Sequence, residues 1–419
     1  MDAEKIFVHR HLKISLEEAL SDTPVVCLLG ARQSGKSTLA EHFQDNRAYI
    51  SLDDQNLLDA VRNDPMGFVA QLPEKVTLDE VQRAPELFLA IKRAVDKERS
   101  AGRFLLTGSA NLLQLPRLAD SLAGRMECLF LQPFTQAEKV GAPGLFLERL
   151  LHEGFVEPIR SNKNLEASQL PERITLGGYP EPNRRLIARA RQWHRQYLRS
   201  IIERDVYDVA RIQDGDQIGS LVRMIAIRTA ELLNVSSLAV DLKMDRDTVY
   251  RHIAILEKLF LVRRLPAWHR NTASRLIKSP KLHMCDTGLA ATLSGLHPED
   301  WMLKKGQFGH LLESFVLQEL VAHAAWTDPD LQFYHYRDKD KVEVDCVITR
   351  GSRVWGVEVK ASSRVTLSDA MGLRRLAEQA GSDFMRGIVL YDGDSVLRLG
   401  DDRFHAVPLS KLWSSYKTR

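Results

Sequence analysis

Cysteine is scarce. Cys27, Cys128, Cys285 and Cys346 are the only four in 419 residues, and they stand singly with no C-x-x-C pair. That spacing excludes a zinc knuckle and a disulfide framework and fits thiols kept reduced. Long apolar runs are missing as well. No stretch approaches the roughly 18 consecutive apolar residues of a membrane span, and the N-terminal MDAEKIFVHR carries acids and no apolar h-region. A cytoplasmic protein without a membrane partner is therefore expected. An excess of one charge is lacking too: 58 Lys+Arg against 55 Asp+Glu leave +3, so any basic surface must be local. Internal repeats and low-complexity tracts are absent. The 44% hydrophobic and 27% charged content is that of a folding globular chain, with length for two to three domains of about 150 residues each.

What is present begins with rhythm. From Pro24 to about Phe134 the runs PVVCLLG, AYISLDD, KVTLDE, GRFLLTGS and MECLFLQPF alternate with amphipathic stretches such as STLAEHFQ and LFLAIKRAVDKE. This predicts a parallel sheet covered by helices. The pattern weakens between about Glu138 and Glu172 and is punctuated by GGYPEPN; a helical block follows from Arg184 through Phe260. Mixed periodicity then returns, with strands at YHYRD, EVDCVITR, RVWGVEVKA and GIVLYD.

Gly30-Ala31-Arg32-Gln33-Ser34-Gly35-Lys36-Ser37 matches G-x-x-x-x-G-K-[ST], follows an apolar strand and opens a helix at Ser37 and Thr38. Such a loop wraps phosphates in backbone N–H groups, Lys36 reaches the terminal phosphates, and the Ser37 hydroxyl holds Mg²⁺. ATP and Mg²⁺ are the implied cofactors. Val76-Thr77-Leu78-Asp79-Glu80 is an apolar strand ending in two acids, Asp79 for the metal shell and Glu80 to polarise an attacking water. A third strand ends at Ser109, placed to sense the γ-phosphate, although a plain strand exit accounts for it nearly as well.

Together GARQSGKSTL, LDEVQRAPELF, FLLTGSANLL and SLAGRM resemble a widespread prokaryotic family of AAA+ ATP-binding proteins with a C-terminal domain of unknown function. The resemblance implies a sensor role for Ser109 and an arginine finger at Arg125, with Arg83 as the rival and an ion pair of Arg125 with Asp120 as the alternative. It also implies a homo-oligomer, with a hexamer as one candidate form. The GGYPEP element, Gly177 to Pro182, is similar to the GxP element of signal-transduction ATPases. That likeness makes Tyr179 and Pro180 expected neighbours of adenine, against the simpler reading as a turn.

In the helical block, Leu238, Ala239 and Leu242, then Met244, Val249, Ile253 and Leu256, space two short helices around LKMDRD, as in a helix-turn-helix. LFLVRRLPAWHRN and KLHMCD read as wing strands. Arg246, Tyr250 and Arg251 face away from the apolar stripe, with Lys243 beside them and Arg263, Arg264, His269, Arg270 and Arg275 in the wing, a surface suited to DNA phosphates or to protein packing. Trp193, Tyr197 and Ile201 recur at helical spacing as core, and RRLIARARQWHRQYLRS is a solvated face.

Glu313 falls on the helix GHLLESFVLQELVAH, Asp345 on EVDCVI, and Glu358 and Lys360 on GVEVKA. Strand alternation projects Glu358 and Lys360 from one face. Carboxylates so placed bind a divalent cation while a lysine steadies hydroxide or phosphorane charge, the chemistry of metal-assisted phosphodiester hydrolysis. The set resembles the PD-(D/E)xK nuclease core, which implies Lys360 as catalytic, Asp345, Glu358 and Glu313 as metal ligands, and a second Mg²⁺ or a Mn²⁺. Cleavage and binding alone both stay open.

The expected architecture is α/β: an AAA+ P-loop core over 1–136, a helical lid over 137–230, a winged helix-turn-helix over 231–285 and a nuclease-like domain over 286–419. The expected function is ATP hydrolysis coupled to binding, remodelling or cutting of DNA, branched DNA being one possibility. A nucleotide-switched regulator is the alternative.

Overall fold

Each of the five early apolar runs becomes a strand: β1 (Val25–Leu29), β2 (Ala48–Ser51), β3 (Val76–Asp79), β4 (Phe104–Gly108) and β5 (Met126–Phe130). They pair in the order β2-β3-β4-β1-β5, all parallel. β1, β3 and β4 are buried along their whole length, which explains why they read as unbroken apolar runs. Helix α1 (Leu12–Asp22) precedes the sheet; α2 (Lys36–Glu41), α3 (Gln55–Asn63), α4 (Pro65–Ala70) and α5 (Leu87–Lys97) supply the crossovers that parallel pairing needs. One core joins Val25, Cys27 and Leu29 to Leu78, Phe104 and Leu106, with Phe88 and Ile91 of α5 laid over them. Because all strands run one way, the loops after β1, β3 and β4 leave the same edge.

The computed structural model describes residues 7–43, 47–109, 122–155, 169–206, 215–271, 275 and 278–414. The chain divides into two compact units, 1–134 with 258–260, and 135–257 with 261–419. Asp120, the expected alternative partner of Arg125, lies outside the described residues, as does part of the insertion after Glu138.

The second unit begins with α6 (Gln136–Val140), whose Thr135 and Glu138 form a reciprocal capping box. Helices α7 (Phe146–Leu151), α8 (Leu170–Leu176), α9 (Ile187–Ser200) and α10 (Gly215–Ile227) follow. In the Gly-Gly-Tyr-Pro turn after α8, Gly177 has φ +72°, and a Cβ there would lie 2.4 Å from the Asp286 carboxylate. The Gly178 N–H donates to that same carboxylate at 2.7 Å. The turn is thus built for close approach, and only glycine meets both demands.

A short strand β6 (Glu231–Leu232) leads to α11 (Val235–Leu242), capped by Asn234, and α12 (Arg246–Lys258). Lys243 ends α11 in the left-handed region, φ +54°, and Asp245 accepts from the Thr248 N–H at 2.8 Å to start α12. β7 (Val262–Leu265) and β8 (Lys281–Met284) complete an antiparallel sheet in the order β6-β8-β7.

After α13 (Thr287–Ser294), the long α14 (Lys305–Thr327) is buried along most of its length. Its Glu319 carboxylate accepts from the Gln136 N–H at 3.0 and 3.1 Å, tying the start of α6 to α14. Strands β9 (Gln332–Arg337), β10 (Glu343–Arg350), β11 (Arg353–Lys360), β12 (Phe384–Tyr391), β13 (Leu397–Arg398) and β14 (Phe404–Pro408) form a mixed sheet in the order β13-β14-β12-β11-β10-β9. α15 (Met371–Ala380) covers it through Leu373, Leu376 and Ala377. Among the described residues no helix is long and apolar enough to cross a membrane.

Candidate functional site

The loop between β1 and α2 is shaped by its backbone. Gln33 takes φ +58° and Gly35 φ +99°, and a Cβ on Gly30 would lie 2.3 Å from the Leu131 carbonyl oxygen. The chain therefore curls tightly around its own N–H groups, the concavity that receives phosphate oxygens. Lys36 is buried, its ammonium donating to the carbonyls of Gly30 at 3.1 Å and Ala31 at 2.9 Å. The buried Ser34 hydroxyl has no hydrogen-bond partner among the described residues, a donor suited to an anion. Arg10 braces the loop from outside the motif: its guanidinium donates to the carbonyls of Ser34 at 2.9 Å and Gln132 at 2.6 Å and lies over the Phe134 ring.

Ser37 and Asp79 meet at this edge, the Ser37 hydroxyl donating to both carboxylate oxygens at 3.0 and 3.2 Å. The Thr107 hydroxyl donates to Asp79 as well. Hydroxyl and carboxylate oxygens at that spacing fit Mg²⁺, a hard ion that prefers oxygen donors. Ser37 and Asp79 would hold the ion, which would supply charge neutralisation at the phosphates. Glu80 sits in the left-handed region, φ +60°, at a cost of about 1–2 kcal/mol for a residue with a Cβ. Its N–H is fixed on the Thr107 hydroxyl at 3.2 Å. The Gln82 amide donates to the Glu80 carboxylate and accepts from the Ser109 N–H at 3.3 Å, so one side chain joins Glu80 to Ser109. Gln82 and Arg10 were not among the residues expected from the motifs.

Arg125 immediately precedes β5, where its carbonyl accepts from the Val25 N–H at 3.3 Å. It stands at the end of the sheet opposite the loop, a strand length of about 16 Å away at 3.3 Å per residue. Its guanidinium pairs with Asp96 at 2.5 Å. Arg83 pairs with Asp53 at 2.6 Å.

In the second unit the sequence-predicted acids do converge. Antiparallel β10 and β11, in register Cys346↔Val357, bring Asp345 beside Glu358, and the Val359 N–H donates to Asp345 at 2.9 Å. Lys360 pairs with Glu358 at 2.7 Å. At their centre is a residue the motif reading missed. The Lys281 ammonium of β8 lies 2.9 Å from Glu313, 3.4 Å from Asp345 and 3.6 Å from Glu343. Burial alone would lower the Lys281 pKa, but Asp345, Glu313 and Glu343 hold it above the usual value. Burial would raise Glu313, yet the His310 hydrogen bond and the Lys281 charge draw it down to about 2. Asp345 is pushed well up by burial and then by the negative charges of Glu313 and Glu358.

The expectation of a second Mg²⁺ or a Mn²⁺ on Glu313, Asp345 and Glu358 gains no support from this arrangement. Among the described residues no group of three or more His, Cys, Asp or Glu side chains is arranged to hold a metal ion; a lysine takes the charge-neutralising place. A cavity of about 600 Å³ opens beside it, lined by Arg228, Asn234, His310 and Arg337 as well as Lys281 and Glu313.

Arg246, Tyr250 and Arg251 are exposed on α12, across the helix from buried Val249, Ile253 and Leu256. The expected basic wing is smaller than the sequence suggests. Arg264 pairs with Glu257 at 3.3 Å, and Arg275 donates to the His269 carbonyl and lies over the Tyr334 and Trp268 rings. The strand exit itself is docked on β9, Trp268 N–H donating to the His335 carbonyl at 2.6 Å. Tyr179 is 1% exposed, its hydroxyl bonded to that of Tyr197 at 2.9 Å and its ring packed on Trp193. That ring belongs to an aromatic core and offers no free face to adenine, so the expectation for Tyr179 gives way to packing. Trp193, Tyr197 and Ile201 are buried as core.

Comparison with known proteins follows the same division. Residues 22–140 match the model of the AAA domain; residues 167–300 and 308–412 match those of two domains of unknown function, DUF8612 and DUF4143. Over 360 residues the chain is 29% identical to Uncharacterized protein Rv2008c of Mycobacterium tuberculosis and, equally, to Uncharacterized protein Mb2031c of Mycobacterium bovis, covering 85% of this chain and 74% of each relative. The Walker-type ATPase PABY2304 of Pyrococcus abyssi is similar over 70% of this chain and 97% of its own, at 19% identity and a TM-score of 0.43. Residues 22–140, which match the model of the AAA domain, thus carry the phosphate loop, Ser37, Asp79 and Glu80 at one edge of a parallel sheet.

Proposed function

We propose that the protein is a Mg²⁺-dependent ATPase that couples nucleotide turnover to DNA binding, working as a homo-oligomer. The observation that carries the ATPase reading is the Ser37–Asp79 contact with Glu80 fixed next to it through Thr107. These are the groups that hold the metal and direct water in phosphoryl transfer.

For DNA, the support is the element order α10-β6-α11-α12-β7-β8, which is that of a winged helix-turn-helix, with Arg246, Tyr250 and Arg251 exposed on its second helix. ATP would favour one arrangement of the assembly and hydrolysis would release it, changing the grip on DNA. Remodelling of branched DNA is the version of this reading that uses both activities. The test is ATPase turnover with and without single-stranded, duplex and branched DNA. DNA-stimulated turnover is expected; indifference to all three removes the coupling. In the same assay series, changing Arg246 and Arg251 together to Ala should weaken DNA binding and lower the slope of log affinity against log salt by about 2, one for each phosphate no longer neutralised. Unchanged binding moves the DNA surface away from α12.

The runner-up, a nucleotide-switched regulator, is favoured by one observation. With Lys281 among the carboxylates, the nuclease-like residues 286–419 bind or signal and do not cut. Slow turnover with nucleotide-dependent affinity for DNA or a protein is its signature.

A further inference from the structure

The turn that follows β3 is pinned at several points. Glu80 stands in the left-handed region, φ +60°, and a strained residue of this kind persists only where its surroundings over-determine it. Here they do. Its N–H is held by the Thr107 hydroxyl at 3.2 Å, and its Oε2 accepts from the Gln82 amide. Gln82 is itself fixed through both chain neighbours: Val81 is buried in the core of the parallel sheet, and Arg83 pairs with Asp53 at 2.6 Å. The other end of the same amide meets the exit of β4, where the Ser109 N–H donates to Gln82 Oε1 at 3.3 Å. That contact decides the one to Glu80. A backbone N–H can only donate, so the amide must turn its oxygen toward Ser109 and its NH₂ group toward Glu80. Gln82 therefore offers Glu80 a donor, the partner that an ionised carboxylate accepts.

We propose that Gln82 is a positioning residue for ATP hydrolysis: it clasps Oε2 of Glu80 by reference to the end of β4 and so leaves Oε1 aimed at the attacking water. This role rests on the ATPase reading above, in which Glu80 polarises that water, and adds to it the group that aims the acid. Gln82 acts through Glu80 and touches no reacting atom. A displacement of about 1 Å at a reacting centre costs about 100-fold in rate, which is the effect expected when the clasp is removed.

The experiment measures phosphate release from ATP and Mg²⁺ by the full chain across pH, for wild type, Gln82→Ala and Gln82→Glu, beside binding of a fluorescent ATP analogue. Near neutral pH both variants are expected to bind the analogue as wild type does and to lose about 100-fold in kcat at unchanged KM. Gln82→Glu keeps an acceptor for the Ser109 N–H, but when ionised it has nothing to donate and repels Glu80. Protonated, it regains a donor. Relative to wild type at the same pH, its turnover should therefore recover as the pH is lowered toward about 5, where two carboxylates this close share a proton, while Gln82→Ala stays slow. A Gln82→Glu protein as fast as wild type near neutrality overturns the role. So does a loss in Gln82→Glu that is the same at every pH, the mark of packing alone. Should Gln82→Ala fail to fold, the pH profile of Gln82→Glu still decides. A wild type without turnover is a different failure: it removes the ATPase reading, and the role of Gln82 with it, whereas a wild type that hydrolyses ATP and is matched by Gln82→Glu removes the role of Gln82 alone.

Discussion

Changing Glu80 to Gln is expected to leave ATP bound and slow its hydrolysis by at least about 100-fold, the contribution of a positioned general base. Changing Lys36 to Ala is expected to lose the nucleotide itself. The difference follows from where the two side chains act. Lys36 is buried against the loop carbonyls of Gly30 and Ala31, so its removal takes away the phosphate-facing charge and strands two acceptors. Glu80 is set beside Asp79 through the Thr107 hydroxyl, not through the loop carbonyls that Lys36 holds. Binding of a fluorescent ATP analogue and release of phosphate, measured on both variants, give the two readouts. Full turnover by Glu80→Gln would remove that residue from the catalytic role and leave Ser109 and Gln82 as the groups to examine.

The second large effect concerns Arg125. Placed at the end of the sheet away from the loop, it has no route to the nucleotide of its own subunit, so a catalytic role requires a neighbour. Arg125→Ala should then bind ATP normally and turn over about 1000-fold more slowly, the lower range for an arginine finger. Mixing it with Glu80→Gln subunits that exchange should restore activity, because each Glu80-competent site then borrows an Arg125. Asp96→Ala is the control. It breaks the same exposed ion pair, worth little to stability, and should leave turnover intact. If both variants behave alike, or the mixture is no better than its parts, Arg125 serves only the surface pair.

Much of the nucleotide site was legible because it is local. The G-x-x-x-x-G-K-S run, the apolar strand before it and the acids closing β3 are each read within a few residues, and their meeting follows once the strands are parallel. Arg10 was not legible: it lies 24 residues before Ser34, whose carbonyl it holds, in a segment with no motif. Gln82 was hidden in plain helix-like sequence, because its role comes from the turn that aims it at both Glu80 and Ser109. Lys281 shows the limit best. Glu313, Asp345, Glu358 and Lys360 could be named from one sheet and one helix. The lysine that reorganises them arrives from another sheet, and a lone Lys at a strand start gives no sign of it. Arg264 and Arg275 erred the other way, since a pattern of basic residues does not say which are already held by Glu257 or laid on Tyr334. The burial of Tyr179 was equally invisible in a Gly-Gly-Tyr-Pro sequence that reads as a surface turn.

The tie between Gln136 and Glu319 sets an order on the ribosome. All five strands of the P-loop sheet have been made by residue 130, so that sheet has its parts early. The N-terminus of α6, next in line, must wait 183 positions for the carboxylate that receives it. At about 5–20 residues per second that is about 10–40 s of synthesis. During this interval the parallel sheet has all its strands while the Gln136 N–H lacks its acceptor, and a fragment ending before α14 would lack that acceptor permanently.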